Sequence, residues 1–324
     1  MSLAVVIPFF QRTEGLLVHA LQSVMAQSGI EDIRVVVIDD ASPIAARDEV
    51  ARFGSPRFPI EVIVQQNGGP AAARNRGLDS LALDVRRVAF LDSDDVWTER
   101  HLANAIEALD AGHDFYFSDL LQPGQTVGAF ARAGRIASDA HPAIGSGDAL
   151  HSYAGDMFDQ IISGNVIGTS TVVYDFDRYR TQRFDEALFS AGEDYLFWIA
   201  CARAGARFCF SSAVEAHYGY GVNVYAGSGW GTEGYLVRIQ NEMRYRKRLL
   251  ELGPTAAQRD LIHAKIRTLR IEFADDIVHR VTHSRPVPLD VLKAQFKLDP
   301  MTLTTLPIHA GQMVARRIKG SATR

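Results

Sequence analysis

The chain has 324 residues, of which 47% are hydrophobic and 22% are charged, so it can bury a substantial core as an ordinary soluble globular protein. A formal net charge of -4 argues against affinity of the whole protein for nucleic acid, and no nucleic-acid partner is expected. The cysteines, Cys201 and Cys209, have neither a metal-site spacing nor a disulfide framework, so we expect core residues in a reducing, cytoplasmic compartment. No apolar run approaches the length of a bilayer span, and no signal peptide precedes the first strand, so we expect neither membrane crossing nor secretion.

Short apolar runs alternate with helix-period segments in the first half of the chain, which is the pattern of an α/β fold with a mostly parallel sheet and helices on both faces. The predicted strands are residues 3–8, 33–39, 60–65, 87–91 and 114–118. The predicted helices are residues 13–27, 44–53, 70–83 and 99–111. Each strand ends in a polar or turn residue, so we expect functional side chains to collect at the carboxyl edge of the sheet.

The second half of the chain has weaker periodicity. Residues 119–165 are predicted to form an irregular connection with one short helix near 153–162. The next predicted elements are a strand at 170–174, a helix at 193–204, a strand at 207–211 and then helices to the C-terminus. A boundary near 226 therefore divides an α/β domain, residues 1–225, from a helical C-terminal extension, residues 226–324.

Three carboxylates, Asp92, Asp94 and Asp95, follow the apolar run 88–91 directly. Like charges in a partly dry site repel each other unless a cation or a proton compensates them. Carboxylate oxygens are the ligands of Mg²⁺ and Mn²⁺, and alternate residues of an extended segment point to the same side. One carboxylate would then hold a cation while the other reaches a sugar hydroxyl. The alternative is that Asp95 caps a helix and the others are solvated turn residues.

A second pair of acids, Asp39 and Asp40, closes the strand in "VVVIDDAS". A carboxylate at this edge could accept hydrogen bonds from a nucleobase imide N–H or from ribose hydroxyls. The alternative is an Asx turn, with Ser42 capping the next helix. The other acidic strand end favours the functional interpretation.

Glycine and arginine mark a third segment, "QQNGGPAAARNRG" at residues 65–77. Gly68 and Gly69 turn the chain, and Pro70 suits the first position of a helix. The spacing is neither a dinucleotide fingerprint nor a P-loop. Arg74 could pair with a diphosphate or a base, but an exposed helical arginine is the simpler interpretation of this segment alone.

A fourth acidic pair, Glu193 and Asp194, opens the predicted helix in "SAGEDYLFW". Acids at a helix start usually interact with the macrodipole and the free N–H groups. A carboxylate at the rim of a cleft could instead remove a proton from an attacking hydroxyl. These residues alone leave both interpretations open.

The order of these segments along the chain resembles glycosyltransferase family 2, whose members have the GT-A fold. The segments VIPFFQ, VIDDASP, QNGGPAAARNRGLD and FLDSDDVWTERHL are similar to those of glucosyltransferases in succinoglycan-type exopolysaccharide assembly, and the resemblance covers about residues 3–225. It implies an inverting transferase that moves a sugar, such as glucose from a UDP-sugar, to a hydroxyl of a glycan or lipid-linked glycan acceptor.

The resemblance also implies a role for each matching residue. The residues that would bind the nucleotide-sugar are Pro8, Phe9, Asp39, Asp40, Asn67, Arg74, Asp92 and Ser93. Asp94 would bind Mn²⁺ or Mg²⁺, and Asp194, next to Glu193, would be the general base. His217 follows the last strand and is a candidate further metal ligand. The basic residue that often stands two positions earlier in the family is Glu215 here, which puts this ligand in doubt, and a lone histidine is more often an ordinary hydrogen-bonded residue.

Two features lie beyond the resembling region. Trp230 follows a glycine-rich stretch and could either pack on the helix beginning near 234 or offer its indole face to a sugar. Residues 244–270 carry eight Arg or Lys and two acids, so they form either a solvated helical face or a surface for the inner leaflet of a membrane. Paired helices could equally form a homodimer.

Other function classes must be weighed against the transferase. The segment DSDDV fits the pattern of haloacid-dehalogenase-like phosphatases, with Asp92 as nucleophile and Asp94 as acid/base, but such proteins normally place it on the first strand. A noncatalytic nucleotide-sugar binder would keep the fold without chemistry, although Asp94 and Asp194 are both present. A nucleotidyltransferase normally has a glycine-rich, lysine-containing loop, which does not follow Pro8.

Overall fold

The structure is a computed structural model that describes residues 2–145, 147–188, 192–222, 229–308 and 311–312. The chain divides into two compact units. The sheet unit comprises Met1–Ala187 and Asp194–Asn223, and the helical unit comprises Leu188–Glu193 and Val224–Arg324. The predicted boundary between residues 225 and 226 lies outside the described residues.

The sheet unit is built on one sheet of nine strands. The strands are β1 Ser2–Phe9, β2 Ile33–Asp39, β3 Ile60–Val64, β4 Val85–Phe90, β5 Val96–Trp97, β6 Phe115–Leu121, β7 Leu150–Ser152, β8 Val173–Asp175 and β9 Phe208–His217. Their order is β3-β2-β1-β4-β8-β6-β9-β5, and β7 pairs with β9. Neighbouring strands from β3 to β4 are parallel, as are β6 and β9, whereas β8 runs antiparallel between β4 and β6.

The helices of the sheet unit follow the strands in alternation. They are α1 Leu16–Met25, α2 Ala46–Phe53, α3 Gly69–Ser80, α4 His101–Asp110, α5 Ala129–Ala133, α6 Met157–Ser163 and α7 Glu193–Arg203, whose first residue belongs to the helical unit. Every residue of β1 from Leu3 to Phe9 is buried, so both faces of this central strand are covered. Cys201 and Cys209 are buried free thiols, as predicted.

The α/β fold prediction is confirmed, and the five strands expected in the first half all form. Three details differ. The two-residue strand β5 is too short to leave a periodic signal. The expected strand at 170–174 begins only at Val173, because Thr169–Thr171 forms a 3₁₀ turn. The region 119–165 contains not only the expected short helix, α6, but also α5 and β7.

The helical unit consists of α8 Glu233–Glu251, α9 Ala256–Thr282 and α10 Leu289–Leu298, and residues 301–308 are also helical. Its core contains Tyr235, Leu236, Ile239, Phe273, Ile277 and Val291. A capping box fixes the start of α9, since Thr255 and Gln258 each bond the backbone N–H of the other. None of the described helices is both long enough and apolar enough to cross a bilayer.

The basic segment at 244–248 is engaged within the helical unit. Arg244 donates to Asn241, Arg246 pairs with Glu242, and Arg248 pairs with Glu251. Lys247 forms a 3.0 Å ion pair with the buried Asp299. These contacts agree with the solvated-face alternative, and contact with a membrane surface or a second copy stays a prediction.

Candidate active site

The polar strand ends predicted from the sequence meet at one edge of the sheet. Strands β1, β2 and β4 are neighbours and parallel, so their carboxyl ends lie side by side. Asp39 and Asp40 stand at the end of β2, and Asp92 follows β4. This edge therefore contains the candidate site.

The two acids at the end of β2, Asp39 and Asp40, bond different backbone segments. Both oxygens of Asp39 accept backbone N–H bonds, 2.9 Å from Ser42 N and 2.8 Å from Ala46 N, and thus fix the start of α2. These bonds agree with the Asx-turn alternative, and direct contact of Asp39 with a nucleoside stays a prediction. Asp40 is equally buried and bonds a different segment, the glycine turn.

Asp40 organises the glycine turn before α3. Its Oδ1 accepts from Gly68 N at 2.8 Å and from Gln65 Nε2 at 2.7 Å, and its Oδ2 accepts from Gly69 N at 2.8 Å. Asn67, whose side chain is exposed, donates from Nδ2 to the carbonyl of Asp40 at 2.9 Å. The turn and the end of β2 thus form one hydrogen-bonded platform.

Arg74 forms an ion pair with Asp92 in the acidic loop that follows β4. Its Nη2 lies 2.8 Å from Asp92 Oδ1, and its guanidinium lies over the Phe184 ring at 5.5 Å. The side chain is buried, so the exposed-arginine alternative is wrong. The neighbouring Asn75 bonds both the backbone N–H and the carbonyl of Phe184, which fixes the segment beneath Arg74.

Asp94 lies against the chain segment that follows β9. Its Oδ2 accepts from Gly221 N at 2.8 Å. Gly219 and Gly221 approach so closely that a Cβ on Gly219 would stand 1.8 Å from the Asp94 carbonyl oxygen. Burial, and then the neighbouring Asp92 carboxylate, raise the pKa of Asp94 above its usual range.

Asp95 points into the protein. Its Oδ1 accepts from Gly219 N at 2.9 Å and its Oδ2 from Ser170 Oγ at 2.5 Å. Burial first, and then the charges of Asp92 and Asp94, raise its pKa well above the usual range. Asp95 is therefore a structural link between two loops, and it is not a helix N-cap.

The 3₁₀ turn Thr169–Thr171 joins the two halves of the site. Ser170 Oγ accepts from Asp92 N at 3.0 Å while it donates to Asp95. The preceding Thr169 donates from Oγ1 to Asp194 Oδ2 at 3.4 Å. Two consecutive residues thus hold the acidic loop after β4 and Asp194, the second residue of α7, a contact that the sequence analysis missed.

Asp194 and Asp92 face a common neighbour, Tyr218. Burial, and then the charges of Asp95, Asp92 and Asp194, raise the pKa of the Tyr218 phenol well above its usual range. Asp194 is partly exposed, and its Oδ1 also accepts from Tyr195 N at 2.8 Å. Glu193 is only 8% exposed, which favours Asp194 as the acid that can reach a substrate.

Three other residues predicted to contact the nucleotide-sugar, Pro8, Phe9 and Ser93, are buried. Phe9 belongs to the hydrophobic core, and Pro8 is buried as well. Their contact with a nucleoside stays a prediction. Ser93 is buried and accepts from Gln11 Nε2 at 3.0 Å. Gln11, which the sequence analysis missed, also bonds Ser42 and Val222 N and so ties the loops after β1, β2 and β9.

A divalent cation fits the donor set at Asp94. The hard oxygens of Asp92 and Asp94 suit Mg²⁺ or Mn²⁺. Burial first, and then repulsion from Asp92, raise the pKa of Asp94, and a cation would relieve that repulsion. No group of three His, Cys, Asp or Glu that could hold a metal occurs within residues 2–145, 147–188, 192–222, 229–308 and 311–312. Mg²⁺ usually binds through one or two carboxylates and keeps waters and substrate phosphates as further ligands.

His217 is exposed at the end of β9, where it pairs with Val96. Its role as a metal ligand stays a prediction. Glu215, two residues earlier, is buried and accepts from Tyr116 OH and Asn104 Nδ2, both at 2.6 Å, and lies 3.0 Å from His101 Nδ1. The acid that replaces the expected basic residue therefore points into the core.

Comparison with known proteins gives the family. The sequence model described as glycosyl transferase family 2 matches residues 4–170. Succinoglycan biosynthesis protein ExoW of Rhizobium meliloti (strain 1021) is 37% identical over 229 residues, which are 69% of this chain and 70% of that protein. The putative teichuronic acid biosynthesis glycosyltransferase TuaG of Bacillus subtilis (strain 168) is 24% identical over 53% of this chain and 61% of that protein.

Solved structures agree on the fold. S. aureus TarS 1-349 in complex with UDP-GlcNAc has a TM-score of 0.59 and 16% identity, covering 96% of this chain and 83% of that chain. The mannosyltransferase PcManGT from Pyrobaculum calidifontis, in complex with GDP-Man and Mn²⁺, has a TM-score of 0.59 and 18% identity, covering 98% of this chain and 86% of that chain. The family match favours a glycosyltransferase over the phosphatase, nucleotidyltransferase and noncatalytic alternatives. This chain belongs to glycosyltransferase family 2 and is a glycosyltransferase with the GT-A fold.

Proposed function

We propose that the enzyme is an inverting transferase that moves a hexose, such as glucose, from a UDP-sugar to a hydroxyl of a glycan or lipid-linked glycan in bacterial exopolysaccharide or cell-surface glycan synthesis. The observation that carries the proposal is the Thr169–Thr171 turn, which holds the Asp92–Asp95 loop and Asp194 together. A cation-binding carboxylate and a proton acceptor are then available at one edge of the sheet. ExoW is a succinoglycan biosynthesis protein, which supports the glycan class, and the ligands of TarS and PcManGT support a nucleotide-sugar donor with a metal.

In the proposed donor site, Asp40, Asn67 and Arg74 bind the nucleoside. Asp92, oriented by Arg74, would face the ribose, and Asp94, with His217 as a further candidate, would hold the cation. Mn²⁺ or Mg²⁺ bound there would stabilise negative charge on the departing nucleoside diphosphate. These side chains would orient the donor, and the buried side of the Asp92–Asp95 loop is shielded from water by the protein.

In the proposed reaction, Asp194 accepts the proton of the acceptor hydroxyl while the hydroxyl oxygen forms a bond to the anomeric carbon. The bond between that carbon and the β-phosphate oxygen breaks, and UDP leaves with the electron pair. A single displacement of this kind inverts the anomeric configuration. We assign the base role to Asp194 rather than Glu193 because Glu193 is buried.

A lipid-linked acceptor would place the enzyme at the cytoplasmic face of the membrane. We propose peripheral contact only in that case, because the basic residues at 244–248 already have partners within the helical unit. A homodimer formed by the helical unit is equally a proposal.

Donor identity and metal dependence can be tested together. Thermal shift measured with a panel of UDP- and GDP-sugars, with Mn²⁺, Mg²⁺ or EDTA, should show one donor that stabilises the enzyme only when a cation is present. Release of UDP with a glycan acceptor should need the same cation, and the anomeric coupling constant of the product, measured by NMR, should show inversion. Retention of configuration, or stabilisation by the donor in EDTA equal to that in Mn²⁺, would contradict the proposal.

A further inference from the structure

The surface of the helical unit carries a stack of three rings. Trp230 is 52% exposed, and its ring centroid lies 4.1 Å from that of His279 on α9, with the planes tilted by 47°. The His279 ring lies 4.1 Å from His283, with a 35° tilt. We call Trp230, His279 and His283 the aromatic ladder. The ring contact of Trp230 is thus with α9, and half of its surface is left to solvent.

The backbone that carries the indole is held from beneath. Gly231 N donates at 2.8 Å to Asp276 Oδ1, and Asp276 is fully buried and paired with Arg280 at 2.6 Å. Thr232 Oγ1 donates to the carbonyl of Gly229 at 2.6 Å. A large aromatic side chain on an anchored turn is positioned before any ligand arrives, so little conformational entropy would be lost on binding.

Positive charge and N–H donors border the ladder. Arg285 approaches the same turn, since its Nη1 would lie 3.1 Å from a Cβ placed on Gly231, and its backbone N–H bonds the Arg280 carbonyl at 2.8 Å. Within the part of the chain that the structure describes, Arg285 forms no ion pair. Its guanidinium carries N–H groups that can donate hydrogen bonds to oxygen acceptors.

We propose that the aromatic ladder and Arg285 form a carbohydrate-binding site that takes one pyranose ring of the glycan acceptor. The C–H face of a pyranose is apolar and matches an exposed indole face, while its ring and hydroxyl oxygens accept hydrogen bonds from N–H donors at the border. The assignment of the bound saccharide as the acceptor rests on the proposed function, whereas binding of a saccharide can be measured without donor or turnover.

Tryptophan fluorescence gives a direct test on the intact enzyme. Trp97 and Trp198 are 5% and 0% exposed, so Trp230 should dominate quenching by acrylamide. Cellotetraose, whose β-glucose rings have flat C–H faces, should protect Trp230 from acrylamide and shift its indole N–H resonance in NMR spectra. Sorbitol, which has the hydroxyls but no ring, should do neither.

Three variants make the test specific. Trp230→Ala should weaken binding of cellotetraose by about tenfold, as followed by NMR shifts of neighbouring resonances, whereas Trp230→Phe should retain most of it because a ring face remains. Val281→Ala, at another exposed position of α9, should bind like the wild type. In a transfer assay, Trp230→Ala should raise KM for the acceptor and leave KM for the donor unchanged.

Three outcomes would overturn the inference. The first is that cellotetraose gives no protection up to its solubility limit. The second is that inorganic phosphate protects as well as cellotetraose, which would indicate an anion site at Arg285. The third is protection that grows with protein concentration alone, which would indicate self-association. If the wild type transfers sugar normally with metal but binds no saccharide at this site, only the carbohydrate-binding site is refuted. If it binds the saccharide but transfers no sugar, only the proposed function is refuted.

Discussion

The two units bury aspartates in opposite electrostatic settings. In the helical unit, Asp299 accepts two hydrogen bonds from Arg270, at 2.6 and 2.9 Å, and lies 3.0 Å from Lys247. Burial alone would raise its pKa, but the bonds from Arg270, Lys247 and Thr302 outweigh burial and lower the pKa to about 2. In the sheet unit, Asp95 is equally buried, and burial together with Asp92 and Asp94 raises its pKa.

The difference separates an acid paired with cations of the chain from acids that mainly repel one another. Asp299 has its countercharges within the chain, so removing it would leave buried cations without a partner. The Asp92–Asp95 loop has one cation, Arg74, for its three carboxylates among the contacts of the described residues. Its remaining negative charge costs stability unless a bound cation compensates it.

The largest expected effect tests the function of the sheet unit. Asp194→Asn should lower the rate of transfer by about 10³-fold, because an amide cannot accept the proton of the acceptor hydroxyl. Thermal shift with donor and Mn²⁺ should be unchanged. Asp139→Asn, an exposed acid of the same unit, is the matched control and should transfer normally. Normal transfer by Asp194→Asn would show that the base lies elsewhere.

The next effect is on the stability of the helical unit. Asp299→Asn should lower its free energy of unfolding by about 3 kcal/mol, since Arg270 and Lys247 lose their charged partner. Urea denaturation followed by circular dichroism would measure this change. Asp290→Asn, exposed in the first turn of α10, should change stability by less than about 0.5 kcal/mol. Equal effects of the two substitutions would show that the ion pairs of Asp299 do not stabilise the helical unit.

Acid titration should report the same ion cluster. The folded pKa of Asp299, about 2, lies below its usual value of 3.8, so its contribution is fully present above that usual value. It should be lost as the pH falls from about 4 towards 2, by roughly 2 kcal/mol. Urea midpoints measured across this range should fall more steeply for the wild type than for Asp299→Asn, and parallel curves would contradict the assignment.

Asp94→Asn should behave in the opposite way to Asp299→Asn. We expect the affinity for the donor in Mn²⁺ to fall by about thirtyfold, because a cation ligand is lost. Stability in EDTA should stay equal or rise, since the substitution removes a charge that repels Asp92. Calorimetry and thermal melts measure the two quantities. A large loss of stability in EDTA would mean that Asp94 is a structural residue.

The smallest effect distinguishes the neighbours Asp39 and Asp40. Asp39→Asn should cost about 1 kcal/mol of stability, because its bonds to Ser42 N and Ala46 N fix the start of α2. Donor affinity should remain within about twofold of the wild type, whereas Asp40→Asn should weaken it by more. Loss of donor binding in Asp39→Asn would return the nucleoside role to Asp39.

Local sequence patterns were sufficient to predict the central strands of the sheet unit. The Val- and Ile-rich runs of β1, β2 and β4 and the polar residues at their ends predicted both the strands and the edge where Asp40 and Asp92 lie. The sequence did not predict that Asp39 bonds the start of α2 and Asp40 the glycine turn, because adjacent residues leave a strand on opposite sides and the pattern does not say which side meets the helix.

Contacts between distant segments account for what the sequence analysis missed. Ser170 bonds Asp92 and Asp95 across more than seventy residues, and Gln11 bonds Val222 N across 211 positions. Neither residue has a local pattern that marks it. The same limit applies to Asp299, whose partners Arg270 and Lys247 come from two other helices.

The close approach of Gly219 and Gly221 to Asp94 has a practical consequence for protein engineering. Any side chain at these positions would displace the Asp94 carboxylate or its backbone without altering a single acid. Attempts to retune the enzyme from one divalent ion to another should therefore begin at these two glycines, where a substitution changes the geometry of the ligand and keeps its chemistry.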